Sequence, residues 1–393
     1  MENKFCSAPW RGLHISTAGE IRTCCSGKLS FGNIISDDIN TALQNPKLKE
    51  IRKSIINGEL PDEYCGGCKI SARKKLYCEM DWHNSLNDDF NIKKATTNYD
   101  YPVIFDARWN NTCNSSCLYC GPRDSSKWAS ILEIETKKHN ITQKENISNF
   151  FEHNKKNLKT VSMIGGEPLL INENVSLIDK IPEQATIDVI TNLNVDLLKN
   201  KVFQKLLAKK KVHWHISFDN TEDQYEYVRQ GSKWDLLKKN LKILGQFLKN
   251  PAERNDHEIQ IMSVYNLLNA TNMCKLKIFA QEAVSFFPYL LKNSHIKIIW
   301  QDFKSPAELN IVNYGIDVLK LAIHEIEKYE KQYLNENEKI FFDSRKIFFK
   351  NISQNTTVKT KEKLSNFIKK NEKIFNNGGS FNRLWPEYSF LIN

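Results

Sequence analysis

Residues 110–122 read Asn-Asn-Thr-Cys-Asn-Ser-Ser-Cys-Leu-Tyr-Cys-Gly-Pro, so that Cys113, Cys117 and Cys120 stand in the spacing C-x3-C-x2-C. Three thiolates this close in sequence can hold three irons of a four-iron cluster and leave the fourth iron without a protein ligand. Clusters held by four cysteines usually transfer electrons, and structural zinc sites also close with four ligands. The missing fourth ligand therefore predicts an iron at which chemistry takes place. A zinc site or three incidental buried thiols are the alternatives.

The cysteine loop follows the first of six strand-like segments, and helix-like segments separate consecutive strands. The predicted strands are residues 102–108, 160–164, 186–191, 212–218, 258–264 and 296–301. This alternation predicts a parallel sheet whose right-handed crossovers curl it into a barrel. Six units rather than eight predict an α/β fold with a partial (β/α)6 TIM-like barrel. In such barrels the active residues lie at the C-terminal ends of the strands, and the cysteine loop belongs to that face.

The most clearly marked helix of the barrel is predicted between residues 234 and 249. Its apolar stripe is formed by Trp234, Leu237, Leu241, Leu244 and Leu248. Ser232 and Asp235 stand three residues apart at the start of this stripe. That spacing predicts a capping box at the first turn of the helix.

Composition divides the chain into three predicted domains, which are residues 1–96, the barrel at 97–306, and residues 307–393. The first domain holds six of the ten cysteines and few periodic segments, so we expect a small, loop-rich unit stapled by metal. Residues 84–100 are polar and are predicted to form a linker. From about residue 307 the apolar pattern has helical period, which predicts a helical C-terminal extension.

Two further motifs follow strands of the predicted barrel. Gly165, Gly166 and Glu167 come directly after the second strand, where a glycine pair permits positive φ and a close backbone approach to a ligand. Ser217 ends the fourth strand, and Arg229 follows as a side chain able to hold a carboxylate with two hydrogen bonds. Each motif alone is typical of an ordinary turn or surface arginine. Their shared place at one end of the barrel favours a common site.

Together these residues resemble the radical S-adenosylmethionine (radical SAM) enzymes. The resemblance rests on Cys113, Cys117 and Cys120 with aromatic Tyr119, on the Gly-Gly-Glu motif, and on the strand Ile-Ser-Phe-Asp followed by Arg-x-Gly. In that family the open iron of a 4Fe–4S cluster chelates the amino and carboxylate groups of SAM. One-electron reduction then cleaves SAM to methionine and a 5′-deoxyadenosyl radical, which abstracts a substrate hydrogen.

The resemblance also implies a role for each matching residue. Gly165, Gly166 and Glu167 would meet the amino group of SAM, and Arg229 its carboxylate. Ser217 would contact the carboxylate or the ribose. Tyr119 would lie near the adenine, and Asn192, which ends the third strand, would contribute to the same cofactor-binding site.

The N-terminal cysteines form a second pattern, made of Cys6, a Gly-x4-Cys segment ending at Cys24, the pair Gly32-Asn33, and Cys65-x2-Cys68. On spacing alone this pattern favours zinc. Beside a radical SAM core it resembles the SPASM/twitch auxiliary domain, which implies a second, auxiliary 4Fe–4S cluster. The domain usually follows the barrel, and here it precedes it. Cys25 and Cys78 are alternative ligands.

The formal net charge is +10, but the lysines are spread along predicted helices and form no arginine-rich or aromatic-interleaved block. This distribution argues against a nucleic-acid partner. No apolar run reaches membrane-spanning length, and the N-terminus has no apolar signal region. We therefore expect a cytoplasmic protein without a membrane partner, in which cysteines bind metal rather than form disulfides.

The resemblance implies oxidation or modification of a peptide, of the ribosomally made and then modified type. An external reductant such as flavodoxin or ferredoxin would supply the electron. Alternatives within the same chemistry are a small sugar-like or alcohol substrate, or RNA. The alternative of another class is a zinc-stapled, non-catalytic protein that associates with nucleic acid. The complete set of motifs argues against that alternative.

Overall fold

The computed structural model describes residues 5–73, 79–136, 141–248, 256–287, 296–303, 305–331, 334–352 and 355–392. The strands in these ranges are β1 (Gly12–Ile15), β2 (Glu20–Arg22), β3 (Gly32–Asn33), β4 (Ile104–Ala107), β5 (Ser116–Cys117), β6 (Thr160–Met163), β7 (Thr186–Thr191), β8 (Lys211–Ser217), β9 (Arg229–Gln230), β10 (Asp256–Tyr265) and β11 (Lys297–Asp302).

The helices of the first half are α1 (Ala8–Arg11), α2 (Ile39–Leu43), α3 (Pro46–Ile56), α4 (Asp62–Arg73), α5 (Glu79–Ser85), α6 (Ser126–Ile131), α7 (Ile141–Asn154) and α8 (Glu173–Lys180). Those of the second half are α9 (Lys201–Leu207), α10 (Glu222–Val228), α11 (Trp234–Phe247), α12 (Met273–Ala283), α13 (Ile316–Tyr329), α14 (Glu336–Lys350), α15 (Val358–Phe375) and α16 (Ser380–Leu384).

One nine-stranded sheet organises the molecule, in the order β11-β10-β8-β7-β6-β4-β1-β2-β3. The run from β4 to β11 contains six parallel strands that are neighbours in chain order, with helices between them. This arrangement confirms the predicted α/β fold with six barrel units. The prediction of β7 and β8 was accurate because each of these strands has a buried β-branched or aromatic residue at every second position.

The two faces of the sheet differ in their surroundings. On the outer face, Trp214 packs edge-on against Phe203 of α9, and Phe105 against Phe151 of α7, at ring distances of 5.8 and 5.0 Å. Ser217 lies three residues after Trp214 on β8 and therefore on the opposite face of the strand. We call this opposite face of the parallel strands the concave face. It carries polar side chains, which mark it as the surface on which a ligand can lie.

Helix α11 begins at Trp234, as predicted, but the capping-box prediction was wrong. Lys233 occupies the N-cap and makes no side-chain cap. The Ser232 hydroxyl instead lies 2.6 Å from the hydroxyl of Ser115 in the cysteine loop. Glu226 accepts a hydrogen bond from the backbone N–H of Trp234 at 3.0 Å, and this pairs one of the free N–H groups of the first helical turn.

The N-terminal segment is joined to the barrel through the sheet. Strand β1 pairs in parallel with β4, and β2 and β3 continue the sheet in antiparallel pairing. The segment has more regular structure than expected, because helices α2 to α5 account for 35 of its residues and strands β1 to β3 for nine more. Helix α3 begins after the N-cap Asn45 and buries Leu48, Ile51 and Ile55 on one side. The predicted boundary between residues 96 and 97 stays a prediction.

Residues 84–100 are packed against the N-terminal segment, so the prediction of a linker was wrong. The buried guanidinium of Arg11 pairs with Asp89 at 2.8 Å and Asp100 at 2.9 Å. Arg52 donates to the carbonyl of Thr97 at 2.9 Å. Two buried arginines need these acceptors, because an unpaired buried charge is costly. The polar composition of the segment reflects this pairing.

The C-terminal extension is helical, as predicted, and packs on the barrel. Trp385 donates from its indole nitrogen to the carbonyl of Leu268, which follows β10, at 2.7 Å. Lys277 of α12 and Glu338 of α14 form a buried ion pair at 2.9 Å. No helix in the described ranges is both long and apolar enough to cross a membrane. The boundary between residues 306 and 307 stays a prediction.

Candidate active site

The cysteine loop is anchored by pairing with a second short strand. Cys117 on β5 lies opposite Arg229 on β9 in an antiparallel pair. The carbonyl of Cys117 accepts a hydrogen bond from the indole of Trp128 at 2.8 Å. Cys117 is buried, Cys113 is half-buried and Cys120 is exposed. The three sulfurs therefore lie on a loop whose buried side is fixed and whose other side is open.

The Gly165–Gly166 turn packs directly on this loop. Gly165 has a φ of +142°, and a Cβ atom on Gly166 would lie 2.2 Å from the carbonyl oxygen of Thr112. The backbone N–H of Glu167 donates to that same oxygen at 2.7 Å. The glycine pair is thus required by a close approach of two backbones, and it brings the predicted Gly-Gly-Glu motif beside Cys113.

The carboxylate of Glu167 is buried and binds the end of the neighbouring strand. It accepts hydrogen bonds from Thr191 Oγ1 at 2.5 Å, from the backbone N–H of Asn192 at 2.8 Å, and from that of Leu169 at 3.2 Å. Burial raises the pKa of Glu167 to about 7, although these hydrogen bonds oppose the shift. The side-chain amide of Asn192 donates to Asn114 Oδ1 at 2.8 Å, so it connects β7 to the cysteine loop.

Arg229 lies between the cysteine loop and the end of β8. Its Nη2 donates to Ser217 Oγ and to Asp219 Oδ2, both at 2.9 Å, and its Nη1 lies 4.0 Å from the sulfur of Cys117. The Nε atom is buried and has no hydrogen-bond partner among the described residues. An unused buried donor is costly, so this nitrogen is positioned for an acceptor from a ligand.

Tyr119 packs over the same guanidinium. The centre of its ring lies 5.6 Å from the carbon of the Arg229 guanidinium, and its hydroxyl donates to Asp219. Asp219 also accepts the backbone N–H of Val264 at 2.8 Å. Phe303 contacts the ring edge of Tyr119 at a centroid distance of 6.5 Å. The aromatic ring, the guanidinium and the carboxylate therefore form one rigid group.

The surroundings of the cysteine loop shift the pKa values of Cys113 and Cys117 in opposite directions. A hydrogen bond from Cys120 lowers the pKa of Cys117, and the positive charge of Arg229 acts in the same direction. Burial, followed by the neighbouring Cys117, raises the pKa of Cys113 to about 12. Cys117 is therefore the thiol most easily ionised. A cation bound by all three would favour ionisation of the other two.

The four N-terminal cysteines of the second pattern also come together. Cys6, Cys24 and Cys65 are buried in one small core, and Cys68 packs against it. Cys65 and Cys68 stand one turn apart on α4. Cys25 is exposed and lies outside this core. Cys78 lies outside the described residues.

Sequence reasoning missed several residues of both sites. Tyr64 lies in the N-terminal core, and its hydroxyl is 2.5 Å from Thr23 Oγ1. Thr191 orients Glu167, and its place before Asn192 at a strand end was the available signal. Asp219 ends the Ile-Ser-Phe-Asp stretch, and its contacts with both Arg229 and Tyr119 were not predicted. A contact between chain segments far apart leaves no local pattern in the sequence.

Comparison with known proteins gives two family matches. The model of the radical SAM superfamily matches residues 109–254, and that of the SPASM iron–sulfur cluster-binding domain matches residues 6–69. Together the two ranges cover more than half of the chain. No curated protein matches the sequence.

Three solved structures are similar at low identity. Streptococcus suis SuiB bound to S-adenosylmethionine has 13% identity and a TM-score of 0.43, covering 84% of this chain and 70% of its own. TYW1 with a lysine-pyruvate adduct bound has 18% identity and a TM-score of 0.34, covering 57% and 71%. Native anSMEcpe with bound AdoMet and a peptide has 13% identity and a TM-score of 0.38, covering 60% of both chains.

The two matched ranges coincide with the two groups of cysteines that the sequence singles out. The radical SAM range implies a 4Fe–4S cluster and S-adenosylmethionine as cofactors, and the SPASM range implies auxiliary iron–sulfur chemistry. The chain therefore belongs to the radical SAM superfamily, and it is an enzyme that carries an SPASM-type iron–sulfur domain ahead of its radical SAM core.

Proposed function

We propose that Cys113, Cys117 and Cys120 hold a 4Fe–4S cluster and that the amino-acid end of SAM binds beside them. The observation that carries this proposal is the position of Arg229. It lies next to the Cys117 sulfur and keeps a buried, unpartnered Nε. A carboxylate at that place would accept a hydrogen bond from Nε and satisfy the guanidinium, next to the cysteines that would hold the cluster.

The other residues complete the SAM site in distinct ways. Ser217 accepts from Arg229, which leaves its own hydroxyl hydrogen for the carboxylate or ribose of SAM. The ammonium group meets the turn from Gly165 to Glu167. There Oε2 of Glu167 accepts only one hydrogen bond and has a lone pair to spare. Asn192 holds the turn and the cysteine loop together, and Tyr119 presents its ring toward the adenine side.

When bound, the cluster supplies the electron that cleaves SAM to methionine and a 5′-deoxyadenosyl radical. The protein positions the reacting parts and excludes water, and the radical then abstracts a hydrogen from the substrate. An external reductant, such as flavodoxin or ferredoxin, provides the electron. The concave face below Ser217 is the surface on which the substrate lies.

We further propose that Cys6, Cys24, Cys65 and Cys68 hold an auxiliary 4Fe–4S cluster. The burial of these cysteines in a single core supports this assignment. The N-terminal segment also contacts the cysteine loop, because Thr17 Oγ1 donates to the carbonyl of Arg123 at 3.2 Å. An auxiliary cluster in this position serves to accept the electron of the substrate radical or to bind the substrate.

The proposed substrate is a peptide, which the protein oxidises or otherwise modifies. Among the similar structures, anSMEcpe was solved with a peptide bound, and this favours a peptide as the substrate class. We expect an extended peptide to lie along the polar concave face of the strands. RNA is disfavoured because the exposed lysines are paired with acidic neighbours at several places, such as Lys205 with Asp179 and Lys210 with Glu183.

Anaerobic reconstitution with iron and sulfide, followed by dithionite and SAM, tests the proposal. We expect about eight irons per chain, four for each cluster, and formation of 5′-deoxyadenosine. Zinc as the only bound metal, or intact SAM after full reconstitution, contradicts it. A candidate peptide is tested by measuring deuterium in the 5′-deoxyadenosine that forms with the deuterated peptide, and the undeuterated peptide is the control.

A further inference from the structure

A second group of metal-ligating side chains lies on the concave face, apart from both groups of cysteines. Asp188 stands on β7, and His213 and His215 stand on β8. The strand register places Asp188 directly opposite His213. Residues two apart on a strand point to the same face, so the carboxylate and both imidazoles share one surface. We refer to these three residues as the Asp–His cluster.

The distances within the Asp–His cluster suit a single metal ion. Asp188 Oδ1 lies 3.0 Å from His213 Nδ1 and 3.7 Å from His215 Nε2, and the three ligand atoms all lie within 4.8 Å of one another. Metal–ligand bonds of about 2.0–2.2 Å at tetrahedral angles place neighbouring ligand atoms roughly 3.3 Å apart. The two observed distances lie on either side of that value.

Hydrogen bonding alone explains the Asp–His cluster less well. A contact of 3.7 Å is too long for a hydrogen bond. Asp188 Oδ1 is buried and accepts no hydrogen bond of normal geometry from the part of the chain that the structure describes. The buried Nδ1 of His215 is likewise unpartnered there. A metal ion bound through Nε2 of His215 leaves this Nδ1 unchanged, so the observation that points to a bound ion is Asp188 Oδ1, a buried acceptor without a normal hydrogen bond from the described residues.

The types of the three side chains indicate which metal ion the Asp–His cluster would bind, and their exposure indicates what the ion would do. Two imidazoles and a carboxylate suit Zn²⁺ and its first-row neighbours, whereas the cysteine sites suit iron–sulfur clusters. Three protein ligands leave one tetrahedral position open, as in catalytic zinc sites. The side chains are 15%, 33% and 14% exposed for Asp188, His213 and His215, so a ligand reaches the cluster from the concave face.

We propose that Asp188, His213 and His215 bind one divalent transition-metal ion, with Zn²⁺ as the best fit, and present its open position to the concave face. His215 precedes Ser217 by two residues on the same strand face, which places it about 7 Å along β8 from the SAM-binding residues. A carboxylate or carbonyl oxygen of the substrate fits the open position. That substrate role rests on the proposed function, whereas metal binding does not.

Zinc binding by the reconstituted full-length protein tests this proposal. The protein is washed anaerobically with a chelator and titrated with Zn²⁺, and zinc and iron are counted by mass spectrometry. The wild type is expected to bind one zinc per chain that a His213→Ala/His215→Ala variant does not bind. The matched control is His324→Ala, which removes an exposed histidine on α13 and leaves zinc binding unchanged. Iron content stays the same in all three proteins.

A conservative variant keeps the test valid if the double variant folds poorly. Asp188→Asn retains the size of the side chain, and it is expected to weaken zinc binding at least tenfold while iron content and the unfolding temperature remain those of the wild type. Equal zinc binding by the wild type and Asp188→Asn overturns the metal site. Zinc binding without SAM cleavage overturns the proposed function alone, and SAM cleavage by a wild-type protein that fails to bind one zinc per chain on titration overturns the metal site alone.

Discussion

At the scale of single residues, Arg229 connects the two halves of the candidate site. It contacts the end of β8 through Ser217 and Asp219, and it approaches the cysteine loop at Cys117. The sequence predicted Arg229 as a residue that can bind a carboxylate, but it did not predict the contact with Cys117. That contact depends on the pairing of β5 with β9, two short strands that are separated by more than a hundred residues.

Replacing Arg229 by lysine is expected to weaken SAM binding about tenfold to a hundredfold. Lysine keeps the positive charge that Asp219 requires, but it cannot hold Asp219 and a carboxylate at once in a fixed fork. Calorimetric titration of the reconstituted protein with SAM measures the change. Arg123→Lys is the control, because Arg123 is exposed in the same loop. Equal SAM affinity in Arg229→Lys and the wild type contradicts the assigned role.

The raised pKa of Glu167 predicts that the free energy of unfolding depends on pH. Its pKa rises from 4.5 to about 7 on folding, so the folded chain keeps a proton that the unfolded chain loses. The contribution of this proton to the free energy of unfolding is fully present below about pH 4.5 and is lost as the pH rises through about 7. Its full size is on the order of 3 kcal/mol, from about 1.4 kcal/mol for each pKa unit.

The measurement is the unfolding temperature of the SAM-free protein between about pH 5 and about pH 8, compared with Glu167→Gln. The wild type is expected to lose several degrees relative to the variant over this range. Glutamine does not titrate, so other ionisable groups cancel in the comparison. Parallel curves for the two proteins argue that the Glu167 carboxylate is already ionised in the folded chain.

At the scale of structural elements, the barrel strands were predictable and their contacts were not. The spacing of apolar residues predicted all six strands and helix α11, because an element that buries one face needs apolar residues at the period of that element. The N-terminal helices were missed because cysteine, glycine and polar residues interrupt their apolar pattern. The wrong capping box shows the same limit, since Ser232 bonds to Ser115 in a different segment.

The Gly165–Gly166 turn gives a prediction at this scale. In Gly166→Ala the new Cβ meets the carbonyl of Thr112 at 2.2 Å, so the turn or the cysteine loop must shift. We expect the loss of about four irons per chain and of SAM cleavage, with helix content unchanged. Gly121→Ala is the matched control, because it lies in the same loop and has no atom within 4 Å of the added Cβ. Normal iron content in Gly166→Ala would show that the close contact is dispensable.

At the scale of the whole molecule, the main finding is how the N-terminal segment joins the barrel. Sequence similarity indicated an auxiliary iron–sulfur domain, and its unusual place before the barrel left its docking undefined. Strand β1 resolves this by pairing in parallel with β4, the first strand of the barrel. One continuous sheet thus joins the segment that carries the N-terminal cysteines to the barrel that carries the cysteine loop. Such long-range pairing is set by tertiary packing, which local sequence does not encode.

The central claim is that the chain holds two clusters and that only the one in the barrel cleaves SAM. Iron content and 5′-deoxyadenosine formation, measured together in two cysteine variants, test it most directly. A Cys113→Ala/Cys117→Ala/Cys120→Ala variant is expected to keep about four irons and form no 5′-deoxyadenosine. A Cys65→Ala/Cys68→Ala variant is expected to keep the other four or so and still cleave SAM. SAM cleavage by the first variant, or loss of all iron from it, would contradict the account.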